Sequence, residues 1–367
     1  MADDRTAARY HRIQLALGIV SVTIDVAFLA VVAWSGGAHA LAARAGRLSG
    51  AWWLELAIVA AALGAGAAAL GAPLGWLRGY HLPRRYGLLH QPFAAWLGDR
   101  AKAAALGGVL GLAAVEAMYA LMRATPLWWL VAAGIFSLAS IALATIFPVW
   151  IVPLFYRLTP LADEQLRARL LALAARAGVP AVGVFVVDQS RKGRTANAAL
   201  TGLGRTRRIV LFDTLVSSFS HDEIESVLAH ELGHHVHRDL WRGLVAQSVV
   251  TLASFWVADR VLRASAGPLD LEHLADPAGL PWVALVIGAV SFVAVPLANA
   301  LSRWMERRAD DFALALTGNA GAFVGAMERL ADLNLAERRP SRLKEMLLYS
   351  HPSIDRRIAR ARAVGSG

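Results

Sequence analysis

The sequence predicts a mainly α-helical, polytopic membrane protein of about six transmembrane helices, with a folded α+β unit built from its polar segments. Composition is the first observation behind this: of 367 residues, 57% are hydrophobic and 17% charged, with mean hydropathy +0.47, whereas a soluble chain carries roughly 25% charge. The second is six apolar stretches near the ~20 residues that a hydrocarbon core demands. The third is the polar, patterned character of 153–241 and 302–367 between and after them. A chain this apolar is excluded from the disordered class.

The formal charge of +10 raises the question of nucleic acid. No basic run of five or more occurs, so the excess is read as membrane-flanking charge and no nucleic-acid partner is expected. The absence of cysteine removes disulfides, thiolate metal sites and cysteine nucleophiles together.

In chain order, 1–152 is expected to form an N-terminal membrane domain with spans at roughly 13–35, 54–76, 103–122 and 127–151. Trp52 and Trp53 facing Trp76, and Trp128 and Trp129 facing Trp150, resemble aromatic belts. Arg5, Arg9 and Arg12 before span one, and Arg78, Arg84, Arg85, Arg100 and Lys102 between spans two and three, put those segments in the cytoplasm. Segment 153–241 and the C-terminus then return to that same side. Ala38-His39-Ala40 resembles a signal cleavage site, but the preceding apolar core of about 23 residues exceeds the 7–15 of a signal peptide, so an anchor is expected. Asp25 and Glu116 lie within spans, where acids face a bundle interior or water.

Segment 153–241 is expected to be a cytoplasmic catalytic segment. Residues 163–177 read as an amphipathic helix ended by Gly178 and Pro180, and 182–187 and 208–212 as short buried strands. Ser220 with Glu223 forms a capping box opening the next helix. Two further spans occupy 242–301, at roughly 242–262 and 279–301. The stretch 302–367 is a C-terminal catalytic segment, helical and basic, interrupted at Pro340 and Pro352.

The capped helix contains His230-Glu231-Leu232-Gly233-His234. One turn separates the histidines, so both imidazoles leave one face and can share a metal ion, with Glu231 beside an open coordination position. A catalytic zinc needs a third protein ligand. His237 and Leu240 break the metzincin continuation, so that ligand comes from elsewhere. Asp270, Glu272, His273 and Asp276 fall on the opposite side of the membrane. The first acids returning are Glu306, Asp310 and Asp311; Glu306 and Asp310 share a helix face, so one can ligate while the other holds an imidazole. The plainer alternative pairs Glu306 with Arg303 or Arg307. His235 and His237 are read as exposed polar residues.

H-E-L-G-H at 230–234 and E-x-x-A-D at 306–310, with Asn197-Ala198 before Thr201-Gly202-Leu203-Gly204 and His351-Pro352 before Arg357, resemble the Ste24-type CAAX prenyl proteases of the M48 gluzincin metallopeptidases. The resemblance implies one Zn2+ per chain on His230, His234 and Glu306, with Glu231 as general base and Asp310 holding a ligand imidazole. It further implies Asn197 and Ala198 on an edge that binds substrate backbone, and His351 and Arg357 in contact with the transition state and the substrate carboxylate. Eukaryotic members have seven spans around a water-filled chamber; this sequence has six, the first being the one missing. The expected activity is zinc endopeptidase cleavage of a peptide or protein, lipidated or membrane-embedded, at the cytoplasmic face of a multi-pass protein, in a bacterial plasma membrane by its Ala/Gly/Arg-rich composition. The alternatives are an HtpX-like quality-control protease and, outside enzymes, a scaffold or pore with a structural metal.

Overall fold

The computed structural model describes residues 4–202 and 207–365; Leu203 and Gly204 of the glycine motif lie outside them. Among the described residues, six helices are long and apolar enough to cross a membrane. They are α1 (Asp4–Trp34), α3 (Trp52–Trp76), α5 (Phe93–Ala124), α6 (Trp128–Ile146), α10 (Asp239–Ser265) and α11 (Leu280–Thr317). Between α1 and α3 lies α2 (Gly37–Leu48), whose alanines 38, 42 and 45 are buried; the Ala38-His39-Ala40 stretch is thus a packed helix. A π-helical turn, Leu77–His81, joins α3 to the short α4 (Leu82–Arg85), and a second, Phe147–Ile151, follows α6.

The six spans form a ring in which each packs on the next: α1 on α3, α3 on α5, α5 on α6, α6 on α10, α10 on α11, and α11 back on α1. The ring is not filled. A cavity of about 490 Å³ is lined from α5, α6, α10 and α11, and one of about 860 Å³ from α1, α3 and α5. Trp53 and Trp150 are exposed at their ends as belt residues would be. Trp128 is not: it is fully buried and its Nε1 donates to Asp259 Oδ1 at 2.8 Å. Satisfying a fully buried carboxylate there outweighs an interfacial position for the indole.

The polar segments fold into one unit. After β1 (Leu158–Pro160), α7 (Glu164–Arg176) is capped by Asp163, whose side chain accepts from Leu166 N, and ends at Gly178, where φ is +70°. Then come β2 (Val184–Val187), β3 (Ala198–Thr201) and β4 (Arg208–Phe212), in the sheet order β1-β2-β4-β3. The sequence anticipated β2 and β4, which are apolar and central; β1 and β3 are short edges without that signature. Helices α8 (Asp213–Ser218), α9 (His221–Val236), α12 (Ala320–Leu333), α13 (Arg342–Leu348) and α14 (Ile354–Gly365) complete the unit. Leu166, Leu170, Ile209, Leu211, Ile224, Leu228 and Phe323 are buried together, joining residues from both sides of the last membrane hairpin in one core.

Length explains how the hairpin returns to that core. The 38 residues of α11 reach about 57 Å, well beyond the ~30 Å hydrocarbon thickness, so its last turns project out of the ring as part of the soluble unit.

Candidate metal centre

Helix α9 starts from the predicted capping box: Ser220 Oγ accepts from Glu223 N and Glu223 Oε2 accepts from Ser220 N at 2.8 Å. Its buried face packs along the outer part of α11, and the approach is closest at Gly233, where an added Cβ would meet Ala309 Cα at 3.0 Å. That close crossing brings Glu306 beneath the two histidines. The ligand-capable atoms of His230, His234 and Glu306 all lie within 4.8 Å of one another. Glu306 therefore turns to the histidines rather than to Arg303 or Arg307; Arg303 instead donates to the carbonyls of Glu345 and Tyr349 at 3.0 and 2.6 Å.

The polar contacts fit a cation. His230 Nδ1 is 2.8 Å from Asp310 Oδ1 and His234 Nδ1 is 2.9 Å from Asp239 Oδ2. With each Nδ1–H given to a carboxylate, the two Nε2 lone pairs face each other at 3.1 Å, an arrangement that a metal ion relieves. Among the described residues Glu306 Oε2 has no hydrogen-bond partner though it is buried, a second atom left for a ligand. Burial alone would lower the His230 pKa, yet the carboxylates of Asp310 and Glu306 raise it to about 9, a measure of how strongly the pocket draws positive charge. Burial raises the pKa of Glu231, with the adjacent histidines opposing it.

Asp239 escaped the sequence reading. Arg238, at φ +56°, turns the chain sharply between α9 and α10 and delivers Asp239 to His234. The available signal was an acid five residues after the second histidine. Arg357 lies differently from what the resemblance implied. Its guanidinium is only 9% exposed and donates to both oxygens of Asp310, at 2.6 and 2.9 Å, so it braces His230's partner from within and does not stand free for a substrate carboxylate. His351 is exposed at the mouth, its Nε2 3.1 Å from Glu306 Oε1. Asn197 is exposed at the start of β3, which packs beside α9; Ala198 points into the core. His235 and His237 are half-buried rather than exposed, and His237 packs edge-on against Phe312. Asp270, Glu272, His273 and Asp276 surround a separate cavity of about 420 Å³ with Glu55. Glu116 is half-buried with Oε1 unbonded, and is not among the side chains lining the 490 Å³ cavity.

Comparison with known proteins agrees over both halves. Residues 160–364 match Peptidase family M48, and 3–157 match the CAAX prenyl protease N-terminal family, described as five membrane helices. The chain is 35% identical over 294 residues, 79% of its length and 69% of the relative's, to "Uncharacterized metalloprotease YhfN" of Bacillus subtilis. It is 29% identical over 309 residues to CAAX prenyl protease 1 of Saccharomyces cerevisiae, covering 78% of this chain and 67% of that one. For the Arabidopsis thaliana homologue the identity is 30% over 285 residues, covering 75% of this chain and 65% of the homologue. The crystal structure of S. mikatae Ste24p has the same fold, with a TM-score of 0.87 at 24% identity over 98% of this chain and 88% of that one. A ring of spans carrying an H-E-x-x-H helix against a glutamate from the returning hairpin, matched along both parts of the sequence, makes this chain a member of peptidase family M48, an integral-membrane metalloendopeptidase of the Ste24 type.

Proposed function

We propose that the metal is zinc, held by His230, His234 and Glu306, and that the centre cleaves membrane-attached polypeptides, lipidated ones included, at the cytoplasmic face. The observation that carries this is the convergence of two imidazole nitrogens and one carboxylate on a single point. Two nitrogens on one tetrahedral zinc stand roughly 3.3 Å apart, close to the 3.1 Å between the Nε2 atoms. Nitrogen–oxygen donors without thiolate suit zinc.

Bound zinc would acidify water and polarise the scissile carbonyl. Glu231 then takes the proton of the attacking water and delivers it to the departing amine. His351, exposed beside Glu306, donates to the oxygen that becomes negative in the tetrahedral intermediate. Asp310 and Asp239 hold the two ligand imidazoles in the tautomer that presents Nε2. Among the described residues the outer edge of β3 has no sheet neighbour, which suits an extended substrate backbone pairing beside Asn197.

The division of labour follows: 1–152 and 242–301 supply the membrane ring, while 153–241 and 302–367 act as one catalytic unit, as their shared core supports. The positive flanks of the first spans support cytoplasmic placement of both termini, in a bacterial plasma membrane, with the bilayer and a polypeptide as partners and no nucleic acid. Replacing Glu231 with Gln should abolish cleavage of a peptide library, read by mass spectrometry, while metal content stays at one per chain. Retained turnover in that variant removes Glu231 from its role.

A further inference from the structure

The 860 Å³ cavity between α1, α3 and α5 falls within the size range of ligand sites. Its wall is built largely from small residues, among them Ala67, Ala68, Gly71 and Ala72, which leave the space open. Three charged side chains face it: Asp25 from α1, Arg78 from the π-helical turn after α3, and Arg100 from α5. None of the three has an ion-pair partner among the described residues. Asp25 is an acid within a span and has no such partner, a placement that marks functional sites, and π-helical turns mark them too.

The charges are ordered along the cavity. The Arg78 guanidinium lies against Gly18, where an added Cβ would meet Nη2 at 3.3 Å, and that of Arg100 lies against Gly75. Asp25 is seven residues beyond Gly18 on the same helix, about 10 Å further along its axis. The Arg78 guanidinium thus stands beside Gly18 and that of Arg100 beside Gly75 of α3, about one turn before Arg78, while the anionic group lies about 10 Å beyond Gly18 along α1. At 3.3–3.6 Å per extended residue, three residues of peptide span that interval, with one charged terminus at each end.

The geometry points to a second peptide site, distinct from the metal centre, that takes a short zwitterionic peptide of about three residues with its carboxylate on Arg78 and Arg100 and its ammonium on Asp25. The site has a route to the metal centre. Gln14, whose Nε2 donates to the Arg78 carbonyl at 3.0 Å, and Arg78 itself also line a cavity of about 340 Å³ that includes His351. A fragment released beside His351 can therefore pass along Arg78 into this site.

The test is calorimetric titration of trialanine into the full-length protein in lipid nanodiscs, which needs no turnover and so stands or falls apart from the proteolytic reading. Free trialanine should bind, and N-acetylation or C-terminal amidation should each weaken binding at least tenfold. In D25N the free peptide should bind at least tenfold more weakly, with N-acetylation then adding no further loss; R78Q combined with R100Q should do the same for amidation. Equal binding of free and capped peptides by the unaltered protein, absence of binding, or binding indifferent to all three substitutions would overturn the proposal. It would equally fall if phosphatidylglycerol displaced the peptide through the arginines with no dependence on Asp25, because the site would then be one for a lipid headgroup.

Discussion

At the scale of single residues, two carboxylates do the same local job in different surroundings, and their removal should differ. Asp239 holds His234 and also accepts from Arg242, whose side chain is 39% exposed and can return to water. Asp239→Ala should leave the protein folded and weaken metal binding by about 10–100-fold, measured by competition with a chromogenic chelator. Parent-like affinity would show that His234 needs no anchor. Asp310 holds His230 but also neutralises Arg357, which is buried. Asp310→Ala strands that guanidinium and should cost about 3–5 kcal/mol of stability as well as metal, seen as a lowered thermal midpoint absent from the Asp239 variant. The H-E-x-x-H spacing was legible because a helix repeats locally. Asp239 was not, because its role depends on one left-handed residue, Arg238, that sequence pattern does not reveal.

Among elements, the α9–α11 crossing decides whether the ligands meet. Gly233→Ala would press a methyl against the Ala309 backbone, at 3.0 Å from Cα and 3.2 Å from O, and neither helix can give without separating. A loss of about 1–3 kcal/mol with weaker metal binding is expected from thermal unfolding and metal titration; an unchanged variant would mean the crossing tolerates slack. The segment carrying His351 rests on a different support. Glu337 accepts from Lys344 and from Tyr349 Oη, and α11 binds the same stretch through Asn299 to the Leu347 carbonyl and Arg303 to Tyr349. Burial would raise the Glu337 pKa, but Lys344 and Tyr349 outweigh it and hold it below the ordinary 4.5. A depressed folded-state pKa stabilises fully above the unfolded value and is lost as pH falls through the folded one. Glu337→Gln should therefore cost about 1–2 kcal/mol near pH 7, with the gap to the parent closing as pH drops below 4.5. A gap constant with pH would discard the charged interaction.

For the whole molecule, sidedness is open to a direct test because the chain has no cysteine. Gly50, exposed between α2 and α3, and Val182, exposed at 65% in the soluble unit, lie at opposite ends of the ring. In intact cells, an impermeant thiol reagent should label Gly50→Cys and spare Val182→Cys until the membrane is opened. The reverse pattern would place the metal centre outside.

Sequence alone determined the six spans, the capped H-E-x-x-H helix and the short set of acids that includes Glu306, because hydropathy, capping and helical periodicity act over a few residues. The tertiary structure decided that Glu306 reaches the histidines, that Asp239 and Arg357 brace them, that β1 and β3 complete the sheet, and that Trp128 is buried and not interfacial. Each of these depends on where two distant helices or strands cross, and close packing of surfaces far apart in the chain sets that position.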